Sequence, residues 1–150
     1  MADRISIDKK INDSTIPEID KTGLLGLDKL SIDRIELFLF AMAIGVKEGH
    51  RTPLSASHGF ILDSSVLSND GAMSQIYSLQ VEELRKINEE EKIGNKDEAY
   101  TIAQEYANTG FLVITSWLSN LKKADEEALL WDLIDELETK YDQCFPNSIN

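Results

Sequence analysis

The chain has 150 residues, 42% of them hydrophobic, and a formal net charge of −12. That is the length of one ordinary domain with enough apolar material for its own core, which excludes a wholly disordered chain. A single cysteine, Cys144, excludes an internal disulfide and a thiolate zinc site, and no apolar run approaches the ~20 residues of a membrane-spanning helix.

The charge is uneven. The first 69 residues sum to −2 and the last 81 to −10. An acidic half repels phosphate backbones and anionic lipid, so direct nucleic-acid binding through it is disfavoured, while a basic protein surface is attracted.

Residues 1–22 are polar and mixed in charge, and Pro17 is expected to break any helix there. They read as a flexible arm, partly disordered or docked as a short strand through Ile5 and Ile7. Charges occupy the positions where a signal peptide needs its apolar run, which points to the cytoplasm. Leu24, Leu25, Leu27 and Leu30 then supply anchors, so a single helical domain is expected over 23–150.

Residues 31–45 read as the first helix, with Ser31 or Asp33 as its cap and Gly45 as its left-handed end. Within it, residues 37–44 are apolar without exception. A helix apolar all round should be the central one and the most buried. Residues 46–69 carry Gly49, Pro53 and Gly59 beside Phe60, Ile61, Leu62, Val66 and Leu67, which predicts a loop or short β-hairpin.

A second helix is expected from about 70 to 88. Its end is loosened by the acidic run Glu89, Glu90 and Glu91, which opposes the macrodipole. A third begins at Asn95, whose spacing to Glu98 resembles a capping box. Ala99, Ile102, Ala103, Tyr106 and Ala107 form its apolar face, small enough for another helix to approach closely, and Gly110 is expected to close it. Residues 111–123 fit a helix through Phe111, Ile114, Trp117, Leu118 and Leu121, although Phe-Leu-Val-Ile-Thr also fits a strand. A last helix, from Asp125 to about Cys144, carries the stripe Leu130, Leu133, Ile134, Leu137 and Tyr141, with Pro146 as a stop. Trp117 and Trp131 read as core, and Cys144 as a small hydrophobe at a helix end. The whole is a mainly α protein, a compact bundle of about five helices around a central apolar helix.

The stretch that stands out chemically is 45–59. It holds both histidines, His50 and His58, together with Lys47, Arg51 and Thr52, and Glu48 is its one acid. In so acidic a chain this is a basic island behind a rigid helix, where binding residues are often held. Arg51 offers a planar fork of donors, Lys47 a point charge, and the histidines donors that strengthen below about pH 6.5, which together suit a small anion or carboxylate. The competing expectation is structural: Arg51 pairs with an acid of the last helix and braces the loop. A metal site would use His50, His58 and Asp63. A nucleophile would be Ser55, Ser57, Ser64 or Ser65 beside a histidine, but no Gly-x-Ser-x-Gly elbow is present. Phosphate-binding loops and calcium loops are also missing, so no cofactor and no catalytic residue is expected.

The leading expectation is therefore an acidic protein-interaction or accessory module that binds a basic partner surface and does not catalyse. One alternative is an acidic nucleic-acid mimic or regulator of a nucleic-acid enzyme, of phage or host-defence type, because rows of carboxylates can imitate phosphate spacing. Another is a small ligand-binding domain or enzyme using the 47–58 loop.

Overall fold

The structure, a computed structural model, describes residues 3–22, 32–123 and 126–144. The elements in chain order are strand β1 (Arg4–Asp8), a π-helical turn (Ile11–Thr15), α1 (Ile16–Thr22), α2 (Arg34–Glu48), β2 (Ser57–Leu62), α3 (Asp63–Leu67), α4 (Asp70–Lys86), a 3-10 turn (Glu90–Lys92), α5 (Lys96–Lys123) and α6 (Glu126–Cys144). The expected helical bundle is present, with one small two-stranded antiparallel sheet. Among the described residues no helix is long and apolar enough to cross a membrane.

The central helix is α5, and residues 37–44 do not hold that place. Asn95 starts α5 by accepting the Glu98 amide at 3.0 Å, as its spacing predicts. The helix then runs through Gly110 without a break. Residues 111–123 are therefore helix, and Gly110 closes nothing. Ala99, Ile102, Ala103, Tyr106, Ala107, Phe111, Ile114 and Trp117 are all buried along it. In α2, by contrast, Leu39 and Phe40 are half-buried and Ala43 is exposed. An unbroken apolar run marks a helix with little polar material, and here one flank of it faces outward.

The contact between α2 and α5 explains both glycines. A Cβ built on Gly45 would overlap the carbonyl of Tyr106, and one on Gly110 would overlap the carbonyl of Ala41. Each helix thus lays its backbone directly on the other, and the hydrogen in place of each Cβ points at the opposing carbonyl, a weak C–H···O contact. Gly45 consequently lies inside α2. The left-handed cap is Gly49, with φ of 82°, and Asp33 caps the start by accepting from the Ile35 amide at 3.0 Å. Ser31 lies outside the described residues.

The chain before α2 is tied in over long sequence distances. Ile5 and Ile7 are buried, and β1 pairs antiparallel with β2, Arg4 opposite Leu62 and Ile7 opposite His58, with a bulge across Ile5 and Ser6. The strand material of 46–69 therefore pairs with the arm and makes no hairpin of its own. The other edge of β1 meets α5, where the Ser6 amide donates to Gln104 Oε1 at 2.7 Å. Thr15 and Thr115 share a 2.7 Å hydroxyl–hydroxyl bond. Pro17 does not break the helix: residues 9–22 run on as one helical segment, and Pro17 comes just after its π-helical turn, the kind of local widening that accommodates a residue without an N–H. The turn before it is widened, with the Ile16 amide reaching back to Ile11.

Two helices complete the bundle. Asn69 caps α4 by accepting the Ala72 amide at 3.0 Å. The acids after α4 fold into the 3-10 turn, which Gln80 fixes from inside. Fully buried, Gln80 donates to the carbonyls of Lys92 (3.2 Å) and Asn95 (2.9 Å) and accepts the Gly94 amide (3.0 Å). Helix α6 lies on α5 through Leu133, with Ile134 and Leu137 half-buried beside it and Tyr141 exposed. Trp117 is core at 4% exposure, but Trp131 is 60% exposed and is not a core residue. Asp125 and Pro146, with the side chains of Leu121, Leu130 and Cys144, lie outside the described residues.

The close approach generates a paired expectation. Gly45→Ala and Gly110→Ala should each lower stability by about 2 kcal/mol or more, because overpacking against backbone outweighs the ~1 kcal/mol of helix propensity gained. Gly71→Ala, at an exposed position of α4 with only ordinary contact to Asn69, should be neutral or stabilising by up to about 1 kcal/mol. Urea melts of the three variants check this.

Candidate functional site

The basic island becomes a strap across α5. After Gly49 the chain turns, and His50, Thr52 and Pro53 are held by backbone and buried side chains. The Thr109 hydroxyl donates to the His50 carbonyl (3.1 Å), the Thr52 amide donates to the Glu105 carbonyl (3.1 Å), and the Asn108 amide donates to the carbonyls of Thr52 (3.1 Å) and Pro53 (3.3 Å). The Thr52 and Thr109 hydroxyls add a bond of 2.8 Å. Asn108 Oδ1 is sealed from solvent and has no hydrogen-bond donor among the described residues, so Asn108 acts through its NH₂ alone.

The five candidate residues are not gathered into one pocket by these contacts. Lys47 ends α2, half-buried. His50 and Arg51 lie on the strap with exposed side chains, and Thr52 is its anchor. His58 is on β2, exposed, opposite Ile7. Arg51 leans toward Glu105 of α5 at 4.0 Å, a loose pair with the arginine side chain 38% exposed. The acid facing it is thus in α5 and not in the last helix.

The acids near the island are engaged elsewhere. Asp63 accepts from Tyr100 at 2.5 Å and pairs with Lys96 at 3.1 Å. The Tyr100 hydroxyl, then the Lys96 ammonium, hold its carboxyl below the ordinary range, while burial and Asp63 push the Tyr100 phenol upward. Tyr106 is raised to about 12 by burial and by its 2.7 Å bond to Glu83. Among the described residues no group of three or more His, Cys, Asp or Glu is arranged to hold a metal ion. Ser55 donates its hydroxyl to Asp8 at 2.8 Å, so that oxygen is directed at a carboxylate and not at a histidine.

Asp8 was not singled out in the sequence and does more than any candidate. Only 7% exposed, it accepts from the Ser55 amide and hydroxyl, both at 2.8 Å, and from the Lys10 amide at 3.0 Å. It caps the helical turn after β1 and pins the far end of the strap. Burial pushes its carboxyl up, but the bonds from Ser55 and Lys10 outweigh this and hold it below its ordinary value of 3.8. Its place, an acid between an alternating strand and the helical segment that follows, is an N-cap signal.

At the end of α2 where the strap begins, Lys140 of α6 donates to Glu48 at 2.8 Å and lies 5.8 Å from the centre of the Trp117 ring. This bond holds the Glu48 carboxyl below its ordinary range despite partial burial.

Comparison with known proteins gives a family. The model of a family described as DNA sulphur modification system-associated protein 4 matches residues 33–145. The chain belongs to that family. The family's match runs from α2 through α6, so it takes in the paired glycines, the strap and the α6 surface, and β1 and α1 precede it. No curated protein and no solved structure matches the chain.

Two expectations follow for the strap. Arg51→Ala should change stability by less than about 1 kcal/mol, since an exposed ion pair at that distance contributes little. Thr109→Val, which strips the bonds to His50 and Thr52, should cost about 1–3 kcal/mol; thermal melts separate the two. Asp8→Asn offers one acceptor oxygen in place of two and sets an NH₂ against a donor, which should cost about 2 kcal/mol at neutral pH. Because the folded carboxyl of Asp8 titrates below the unfolded one, its stabilisation is complete above the unfolded value and is lost as pH falls through the folded one. The gap between wild type and Asp8→Asn should therefore narrow as pH falls through and below the ordinary carboxylate range, as melts across pH would report.

Proposed function

We propose that this protein is a non-catalytic accessory module of a DNA sulphur modification system, a component of host defence, which docks through its acidic helices onto a basic surface of another protein of that system. The observation that carries the reading is the charge: −12 overall, with −10 in the last 81 residues. The cations amid those acids are largely committed within the molecule. Lys86 pairs with Glu82 and Glu83, Lys92 with Glu89, Lys96 with Asp63, and Lys140 with Glu48 and Glu136. Family membership supports an accessory role beside DNA-modifying proteins, whose DNA-handling surfaces must be basic. That setting is the cytoplasm.

A second reading shares the same surface. The acidic helices would occupy a partner's DNA-binding groove as a nucleic-acid mimic and regulate it, and then duplex DNA would compete for the partner. The strap, with His50, Arg51 and the nearby Lys47 and His58 exposed or half-exposed, would be a second contact, for a protein carboxylate or a small anion.

The test is association kinetics between this protein and the other purified proteins of the system. Steering by charge should slow association on the order of tenfold as salt rises from about 10 to about 150 mM, where the Debye length shortens to ~8 Å. An on-rate indifferent to salt would overturn the electrostatic reading. Arg51→Ala in the same assay should weaken binding only if the strap is a contact.

A further inference from the structure

Among the described residues, helix α6 is attached along one side only. Its seam to α5 is Leu133, flanked by Ile134 and Leu137, and its one lysine, Lys140, is turned inward to Glu48 and Trp117. Opposite the seam lie Trp131, Asp135, Glu138 and Asp142, at the i, i+4, i+7, i+11 spacing that makes one row on a helix. All four are exposed, and Trp131 at 60% is the most exposed large hydrophobic residue among those described. The row spans about 16 Å at 1.5 Å per residue.

Two things about this row are unlike an ordinary solvated face. A solvent-facing helix position gains nothing from an indole, whereas a tryptophan ringed by polar groups is the usual centre of a protein contact. The row also carries no cation: α6 holds seven acids and a single lysine, and that lysine faces away. We infer that the Trp131–Asp135–Glu138–Asp142 row of α6 is the docking surface for a partner protein that presents an apolar groove flanked by lysine or arginine. This rests on the acidic-module reading and names its contact point.

Charge complementarity selects that occupant. A second copy of the same face would set carboxylates against carboxylates. Nucleic acid and anionic lipid are repelled by the three acids. A groove that is apolar but uncharged would leave those carboxylates to be desolvated without partners. A cationic amphipathic surface receives the indole and meets the acids at its rim.

The probes are two synthetic peptides, an amphipathic helix of lysine and leucine and a polylysine of equal charge. Trp117 is buried, so the emission that acrylamide quenches belongs to Trp131. Titration with the lysine–leucine peptide should shift that emission to the blue and shield it from acrylamide, while polylysine should do neither. Trp131→Ala should weaken the amphipathic peptide by about 30-fold, the size of an interface hot spot, and Trp131→Phe should recover part of it. Both variants should keep the wild-type melting temperature, since the side chain is outside the core. Changing Glu89, Glu90 and Glu91 to glutamine should alter binding by no more than about twofold, within the range of surface contacts away from a hot spot. If the peptide binds wild type and Trp131→Ala alike, or if the glutamine variant loses as much as Trp131→Ala, the α6 assignment is overturned and the acidic-module reading stands. If neither peptide binds at low salt, both are overturned.

Discussion

The fold depends on how closely α2 and α5 lie. Two helices normally keep their axes 8–10 Å apart because side chains stand between them. Here Gly45 and Gly110 remove the side chains at reciprocal points, so each glycine rests on the other helix's main chain. This contact fixes the crossing point, and the crossing point fixes where α2 ends. Gly49 turns the chain just beyond it, which delivers His50, Arg51 and Thr52 onto the face of α5 that carries Glu105, Asn108 and Thr109. The faces of α5 that remain are taken by α4, the arm and α6.

Around that crossing, the connections are held by polar groups placed in or near the core. Asp8 gathers Lys10 and Ser55; Gln80 gathers the turn before α5; Asp63 gathers Lys96 and Tyr100. Each presents acceptors to amides or hydroxyls that would otherwise be buried without partners, an omission costing more than the bond itself contributes. The acids thus divide into two populations. A few are engaged inward and define the loops. Others lie along α4, along α6 and in the turn before α5, with further ones spread over the N-terminal segment, α2 and α5.

The sequence made some of this legible and concealed the rest for physical reasons. Local signals were sound: Asn95 and Asp33 are caps, and the alanine face of α5 is where another helix approaches closely. Glycine misled twice. Its two roles, ending a helix and permitting a backbone contact, leave the same letter, so Gly45 and Gly110 read as stops when both lie within helices. The run 37–44 misled similarly, since composition reports how apolar a helix is and not which of its faces is covered. The strand at 57–62 showed its residue type, but its partner lies over fifty residues earlier, beyond any local pattern. At the strap, the exposed cations were visible as a cluster. The buried groups that position them, Asn108 and Thr109, were not, because polar residues in a helix ordinarily face water. Gln80 did leave a trace: with Ile76 and Leu84 it repeats every fourth residue, a polar side chain in a core row.

The pairing of β1 has a consequence for how the molecule is made. The strand leaves the ribosome early, yet the groups that receive it come late: β2 follows some fifty residues on, and Gln104 and Thr115 are 98 and 100 residues beyond Ser6 and Thr15. Until α5 has been synthesised, Ile5 and Ile7 have no core to enter. Docking of this segment on α5 is therefore expected late in folding, since it joins residues 98 and 100 apart in sequence. The nascent arm must wait as an apolar, unpaired strand, and the charged Arg4, Lys9 and Lys10 beside it are the kind of residue that keeps such a strand from pairing with a neighbouring chain in the interval.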